Sequence, residues 1–585
     1  MTRENVYRAQ NILRLCSSEL CSISDTCRAG FDCQFYDERG RPAVSLTTQE
    51  AIKGRITIVL PPNPKGFCSV RDVAGGLGIF FKGKSKPSPI MDALYAAAVS
   101  EQMGWETSIL DGVALELDEQ DIVKRIRSAK SEYQGPHSAI EYVGVRLSLA
   151  TLTEDVKLAG KVKSACPQAR VFVFGSAIKH TYQDWIESAN VDFVLYGEVD
   201  AVLPDILSNT DCIESSQVTL VGDEEEDGTM RWKLTGDLDR LPVPAWHLLP
   251  LAKYSVNGQA SGVRYFVQTS RGCPNRCSMC PYILHQGRIW RKRSIEGVID
   301  ELAYLKRRFG AREVLFRDPN IGVDVKRLRK LCERIIEEKL DLRIHIETEL
   351  EKLDEQTIAL LKRSGVFRIS TGVESVDPNC LTDIAQNTEA PKALVEKVAY
   401  CNSIEMEVFA LFMVGFPHES WASVLRTLSF AKSLGVDTKV GIMNPYPGTE
   451  IAKEYESANL ISRNTSNGSY RHFDGATVAL RSLYMSKLEL TLALRLMKAE
   501  LMALEALRKF YARPSLSNIR YLLRFAAFSA FALPIRAFAS LKLWSQKAKG
   551  SSAGLAGRAI KASDTSVLIG QEYCTDKVAK RTLNR

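Results

Sequence analysis

From Arg55 onward, short apolar runs alternate with longer segments of helical periodicity. Ile56-Thr-Ile-Val-Leu60, apolar but for one threonine, reads as a strand buried on both faces, and it stops at Pro61-Pro-Asn-Pro64. A glycine-rich loop, Ala74–Gly83, and an apolar helix over about Pro89–Met103 follow. Thr107–Asp111, Tyr142–Leu147, Arg170–Phe174 and Phe193–Tyr196 read as further strands, with helices over Asp118–Ser131 and Thr153–Ala165. This alternation predicts a doubly wound parallel sheet over residues 54–210. Ligands of such sheets sit outside the carboxyl ends of the strands. The candidates there are Pro62, Asn63, Ser148, Thr151, Gly175, Ser176, Gly197 and Glu198.

Residues 211–255 read as a link, with an acidic turn at Asp223–Gly228 expected to be a solvated hairpin. Leu241-Pro-Val-Pro-Ala-Trp246 reads as extended, because each residue before a proline disfavours helix. Alternation then resumes. Tyr265–Ser270, Arg312–Arg317, Leu342–Glu347, Phe367–Thr371, Glu407–Val414 and Lys439–Met443 read as strands, with helices at Ser294–Arg308 and Glu355–Ser364 among those between them. Six βα units over residues 256–460 predict a barrel whose chemistry lies at the C-terminal strand ends. Asp318, Glu347, Glu374, Ser375, Met413 and Gly415 fall there, as does the turn Tyr446–Thr449. Glu374 and Ser375 have a helix cap as their alternative, with ligand binding preferred at a barrel strand end, and Met413 could equally be core.

Past the barrel, Ser486–Lys509 is an amphipathic helix within a helical region spanning 461–549. No acid appears between Glu505 and Asp564. Arg508, Lys509, Arg513, Arg520, Arg524, Arg536 and Lys542 lie among aromatic and aliphatic residues. Such a segment suits an anionic membrane interface, or a helical cap on the barrel. Nucleic acid is not expected, because apolar residues dilute the charge. Residues 550–585 read as a weakly ordered tail.

Length, charge and cysteines add bounds. At 585 residues the chain needs more than one core. The 45% hydrophobic and 25% charged residues are ordinary for a soluble protein, and the net charge is +8. Fourteen cysteines without an apolar leader point to a reducing cytosol and to metal or redox use. No apolar run of about 20 residues is evident, so no spanning segment is expected. The expected place is cytoplasmic, with peripheral contact at the inner membrane surface left open. Cys16, Cys21, Cys27 and Cys33, in the leader 1–53, fit no ferredoxin spacing.

Cys273, Cys277 and Cys280, in Arg271-Gly-Cys-Pro-Asn-Arg-Cys-Ser-Met-Cys-Pro281, are spaced C-x3-C-x2-C. Three thiolates on a cubane iron–sulfur cluster leave one iron with an open coordination position. A zinc site completed by His285 also satisfies the spacing, as would a chance cluster.

A three-cysteine loop directly after a strand, at the head of a βα series, resembles the radical S-adenosylmethionine (SAM) superfamily. The implied fold there is a partial (βα)6 TIM-like barrel whose open iron chelates SAM. Family residues at this loop place an aromatic before the last cysteine. Met279 stands there instead, and the resemblance gives it the adenine contact. Gly372-Val-Glu374-Ser375 resembles the family's SAM-binding strand, and Met413 and Gly415 the strand on adenine. Asp318 and Glu347 are implied contacts to SAM or substrate. The first domain, with Gly175-Ser176 and Tyr196-Gly197-Glu198, resembles the Rossmann-like cobalamin-binding domain preceding many such barrels. No Asp-x-His-x-x-Gly loop is present to supply a lower cobalt ligand.

The resemblance implies a cobalamin-dependent (class B) enzyme holding a [4Fe–4S] cluster, SAM and cobalamin. An electron cleaves SAM to methionine and a 5′-deoxyadenosyl radical, which takes hydrogen from an unactivated carbon; that carbon then receives a methyl group. Electrons would come from a reducing protein such as flavodoxin or ferredoxin. The substrate implied by the tail is a small hydrophobic molecule, a lipid or an isoprenoid. The alternatives are a cobalamin-binding cyclase or C–C bond-forming enzyme without methyl transfer, and a non-catalytic cobalamin- or metal-binding module.

Overall fold

The structure, a computed structural model, describes residues 53–553 except 83–86, 132–139, 209–217, 228, 257, 462–476 and 513–518. Cys16, Cys21, Cys27 and Cys33 and the tail 554–585 lie outside the described residues. Two compact units divide the chain. The first holds residues up to Pro274, Pro281–Ile346 and Arg363–Gly365; the second holds Asn275–Cys280, Glu347–Lys362 and the residues from Val366 on.

The first unit opens on a six-stranded parallel sheet. Its strands are β1 (Gly54–Leu60), β4 (Glu106–Asp111), β5 (Ile140–Arg146), β6 (Arg170–Phe174), β7 (Phe193–Leu195) and β8 (Thr219–Val221), in the order β4-β1-β5-β6-β7-β8. Residues Ile56, Ile58, Val59, Tyr142, Val143, Val145 and Val171–Phe174 are fully buried, which is why these strands read as continuous rather than alternating runs. Helices α1 (Met91–Gln102), α2 (Glu119–Ser131), α3 (Leu152–Ala165) and α4 (Val199–Ser208) connect them. The small residues Ala93 and Ala96–Ala98 are buried on α1, which packs on α4.

The glycine-rich stretch differs from the expected loop. It contains an antiparallel hairpin, β2 (Phe67–Val70) against β3 (Ile79–Lys82). Four-residue strands separated by Gly75, Gly76 and Gly78, all with positive φ, are too short to show alternation in the sequence. Beyond residue 210, β8 adds to the sheet, and β9 (Asp223–Glu224) pairs antiparallel with β10 (Met230–Arg231) around the acidic turn.

After a short helix, α5 (Leu251–Tyr254), come β11 (Arg264–Val267), β14 (Glu313–Phe316) and β15 (Arg343–Glu347), parallel and in that order; the last residue of β15 belongs to the second unit. The expected strand Tyr265–Ser270 breaks after Val267. Ser270–Arg271 (β12) pairs instead with Arg291–Lys292 (β13), and α6 (Tyr282–Gln286) lies between them. Ser294 caps α7 (Ile295–Phe309) by accepting from Gly297 N, and Gly310 ends it in the left-handed region. Asp324 caps α8 (Val325–Glu337).

In the second unit β16 (Val366–Glu374), β17 (Glu407–Val414) and β18 (Asp437–Ile442) are parallel and adjacent in that order. β16 runs past the expected end at Thr371, through an irregularity between Gly372 and Glu374. Helices α9 (Glu355–Arg363), α10 (Pro378–Asp383), α11 (Ala390–Ser403), α12 (Trp421–Ser433) and α13 (Glu450–Ser457) alternate with these strands.

Two long helices close the described chain, α14 (Lys487–Ala512) and α15 (Ile519–Ala553). Arg536 pairs with Glu500 at 2.6 Å, and Lys542 with Glu489 at 3.2 Å, so the helices run antiparallel along each other. One sequence expectation fails here. The most apolar 18 residues within Ile519–Ser545 have a mean hydropathy of 1.5, so by length and composition alone this helix could cross a membrane. Arg536 and Lys542 sit within the apolar run and hid it.

Candidate active site

The strand order reverses beside β1: the chain steps to β4, then returns to β5 on the other side. The crevice at the carboxyl ends of β1 and β5 is therefore where a ligand is expected. Arg71 fills it. Its guanidinium donates to Ser148 Oγ, Thr151 Oγ1 and Asp155 Oδ2, each at 2.8 Å, and to the carbonyls of Pro61 and Pro62 at 3.2 Å. Asp155 Oδ2 also accepts from Thr151 Oγ1 at 2.7 Å and from Ser148 N at 3.0 Å. Asn63 Oδ1 accepts from Ser69 N at 3.0 Å and fastens the β2–β3 hairpin. Four of the eight strand-end candidates, Pro62, Asn63, Ser148 and Thr151, are thus engaged by the fold's own hydrogen bonds.

The other four, Gly175, Ser176, Gly197 and Glu198, come together on a neighbouring cavity of about 70 Å³, shared with Gly75, Gly76, Trp232 and His285. That is room for a few waters or for one arm of a larger ligand. Glycines make the space: a Cβ on Gly76 would meet Ser176 Oγ at 2.7 Å, and one on Gly75 would meet His285 Cε1 at 2.7 Å. Ser176 Oγ is buried without a hydrogen-bond partner. Burial pushes His285 down to about 3, so the imidazole is neutral. Glu198 is engaged: Arg291 donates to both its oxygens at 2.7 and 2.8 Å, and Thr235 N donates at 2.9 Å. Burial raises its pKa, but Arg271 and Arg291 outweigh this and hold it low. Arg271 in turn reaches Asp200 at 2.9 Å.

The cysteine loop leaves the first unit after Pro274. Gly272, at φ +82, admits a chain path on which a Cβ would meet Ile289 O at 2.1 Å. Gln286 Oε1 accepts from Gly272 N at 3.1 Å, and Cys273 N donates to Gly287 O at 3.2 Å. Asp318, expected at the barrel mouth, is fully buried and accepts from Thr269 N, Thr269 Oγ1 and Ser270 Oγ at 2.6–2.7 Å. It anchors the segment that leads into the loop.

In the second unit the remaining loop is tied down residue by residue. Asn275 Nδ2 donates to Glu349 Oε2 at 2.8 Å, and Gln386 Nε2 lies 3.9 Å from Cys277 Sγ. Ser278 donates through N to Ile384 O at 3.2 Å and through Oγ to Asp383 O at 2.9 Å, and accepts from Ile451 N. The carboxylate of Asp383 holds the turn after β17, through His418 N at 3.0 Å and His418 Nδ1 at 2.6 Å. Asn275, Cys277, Glu349, Gly372 and Gln386 share a cavity of about 240 Å³.

Glu374 ends β16 with φ 61°, a strained value for a non-glycine residue. Burial alone pushes its carboxyl up to about 8. Ser375 Oγ accepts from Asp377 N at 3.1 Å and lies 3.2 Å from Thr427 Oγ1, while Asp377 itself caps the following helix. Gly415 N donates to Glu419 Oε2 at 3.1 Å, and Tyr455 donates to Gly415 O. Met279, Glu347 and Met413 are half-buried. Among the described residues no three His, Cys, Asp or Glu side chains converge on a single ion.

Residues 267–431, which span this loop and the strands after it, match the sequence model of the radical SAM superfamily. The chain is a radical SAM enzyme. It is similar to an uncharacterized methyltransferase of Pyrococcus horikoshii, 28% identical over 413 residues, covering 70% of this chain and 84% of the relative. A hopanoid C-3 methylase of Methylococcus capsulatus is 25% identical over 338 residues, covering 56% of this chain and 61% of the relative. Its fold resembles the cobalamin-dependent SAM radical enzyme OxsB, solved with aqua-cobalamin and SAM bound, with a TM-score of 0.58 at 12% identity, covering 84% of this chain and 72% of that one.

The radical SAM enzyme carries features that the sequence pattern did not reveal. Asp72, Tyr95 and Trp232 line the first cavity, and Gln386 stands beside a loop cysteine. None belongs to a local motif; each reaches its place through the fold. His285 had a local signal, its distance from Cys280, but as a zinc ligand, and the structure sets it against Gly75 instead.

Proposed function

We propose that this radical SAM enzyme methylates an unactivated carbon of a small hydrophobic molecule, using a [4Fe–4S] cluster on Cys273, Cys277 and Cys280, SAM, and cobalamin. The observation that carries the reading is the glycine-lined cavity with the unpartnered Ser176 hydroxyl, built at the strand ends of a parallel α/β sheet that precedes the radical SAM domain. A cradle that any Cβ would fill, with a buried hydroxyl lacking a partner, fits a polar arm of a corrinoid. The donor set Cys-x3-Cys-x2-Cys fits a cluster with one open iron. The likeness to methyltransferases supports methyl transfer, and the hopanoid methylase and the apolar C-terminal helices support a lipid or isoprenoid substrate.

When bound, the cluster with SAM supplies hydrogen-abstracting radical chemistry, and the corrinoid supplies a transferable methyl group. The chain's own part is positioning. Asp318, Gln286, Ser278 and Asn275 hold the loop backbone, and Gln386 offers an N–H to the Cys277 sulfur. The buried, partnerless carboxyl of Glu374 is a candidate acceptor for the amino group of SAM. Gly76, Gly175 and Ser176 would admit the corrinoid. Electrons would come from a reducing protein such as flavodoxin or ferredoxin, in keeping with a cytoplasmic chain of fourteen cysteines.

Anaerobic reconstitution with cobalamin, followed by analysis of SAM products, tests the reading. 5′-Deoxyadenosine and S-adenosylhomocysteine should appear together, and Cys277→Ala should form neither. 5′-Deoxyadenosine without S-adenosylhomocysteine would replace methyl transfer by cyclisation or coupling. Unchanged cleavage in Cys277→Ala would remove the cluster assignment.

A further inference from the structure

Helix α15 is apolar on two opposite faces. One face is spent. Ala532, Ile535 and Ala539 are buried, Phe538 packs edge-on against Trp421 of α12 with ring centroids 5.9 Å apart, and Arg536 and Lys542 reach back to Glu500 and Glu489 of α14. The opposite face carries Ile519, Leu523, Leu533, Leu541 and Trp544, all more than half exposed, Trp544 at 72%. Exposed alanines 526, 530 and 537 fill the positions between them. Successive members stand three or four residues apart, so they form one stripe about 38 Å long. No charged residue interrupts it. Exposed Arg520 and Arg524 border it, and no acid occurs between Glu505 and Asp564.

We infer that this stripe is a membrane-docking surface, which seats α15 lengthwise in the interface of an anionic bilayer. Purely basic borders complement anionic headgroups. They argue against a second copy of the chain, which would bring the same arginines with no acids to meet them. Trp544, with an apolar body and one N–H donor, suits the interfacial depth. The ion pairs to Glu500 and Glu489 decide between lying and crossing. A helix that crossed alone would lose the partners of Arg536 and Lys542 and carry both charges into hydrocarbon. A helix that lies flat keeps that face on α14. None of the stripe's residues lines those cavities or holds the cysteine loop, so the inference survives failure of the proposed function.

Flotation of the full-length, reconstituted protein with phosphatidylglycerol-containing vesicles, against phosphatidylcholine vesicles, tests it. The protein should float with the anionic vesicles and much less with the neutral ones, and added salt should weaken binding. The triple variant Leu523→Ser, Leu541→Ser and Trp544→Ser, all at exposed positions, should lose at least tenfold in partitioning with unchanged thermal melting. Arg520→Gln with Arg524→Gln should weaken anionic binding by roughly fivefold per arginine. Equal flotation of the wild type and the triple variant would overturn the proposal. So would absence of binding, retention after alkaline carbonate extraction (a spanning helix), or a wild-type dimer in sedimentation that the triple variant abolishes (a second copy on the stripe).

Discussion

Replacing Asp155 with alanine should loosen the first sheet far more than a surface substitution would. Arg71 is 2% and Asp155 1% exposed, and the carboxylate accepts from Arg71 Nη1 at 2.8 Å, Thr151 Oγ1 at 2.7 Å and Ser148 N at 3.0 Å. Removing it leaves a guanidinium buried with only neutral acceptors, the hydroxyls of Ser148 and Thr151 and the carbonyls of Pro61 and Pro62. Breaking one side of a buried pair costs about 3–5 kcal/mol. In native-state hydrogen exchange, the slowest amides of β1 and β5 should then exchange roughly 10²- to 10³·⁵-fold faster. The double variant Arg71→Met with Asp155→Ala carries no stranded charge and should recover most of the loss, because apolar replacement of a buried pair is often neutral. A change below about tenfold in Asp155→Ala, or a double variant no better than the single, would refute the view that this pair holds the crevice closed.

Gly76→Ala, whose Cβ would meet Ser176 Oγ at 2.7 Å at φ +84, should lower cobalamin content after reconstitution. Thr151→Ala, which touches the Arg71 network alone, should leave that content unchanged; absorbance of the purified protein reads both. Gln386→Leu removes the N–H beside Cys277 Sγ and should shift the cluster midpoint to more negative potential by roughly 20–65 mV, from about 0.5–1.5 kcal/mol for one hydrogen bond; an EPR-monitored titration measures it. Burial holds Glu374 at about 8 against an ordinary 4.5. The folded state therefore keeps this proton to higher pH than the unfolded chain, and its contribution to stability is lost as pH rises between those values. Thermal midpoints at pH 5 and pH 8.5 should converge in Glu374→Gln relative to wild type, and parallel profiles would contradict the shift.

Strands buried on both faces were legible because Ile56–Leu60 and Arg170–Phe174 have no polar face to confuse the pattern. The β2–β3 hairpin was not, since its four-residue strands flank three glycines. The end of β16 was misplaced because Gly372 reads as a terminator, yet the ladder resumes at Glu374 beyond an irregularity. For the site, the cysteine loop is local and announces itself. Arg71 is not: its partners Ser148 and Asp155 lie 77 and 84 residues away, and a lone arginine after a hairpin carries no periodic signal. Strand-end logic therefore nominated Ser148 and Thr151 correctly as polar groups at the crevice, but a distant side chain had already claimed them. Gly175, Ser176 and Gly197 gather on one cavity because β6 and β7 are neighbours, which sequence order alone suggests. Spacing counted from Cys280 gave no hint that His285 faces that cavity.

Asp383 serves two places with different atoms. Its carbonyl fixes Ser278 in the cysteine loop, and its carboxylate fixes His418 in the turn after β17. The acceptor for Ser278 belongs to the backbone and is present whatever side chain stands at 383; only the grip on His418 depends on the aspartate. A substitution at 383 therefore addresses the turn after β17 by itself, while one at 278 addresses the cysteine loop. The two places can be tuned separately although they meet at one residue.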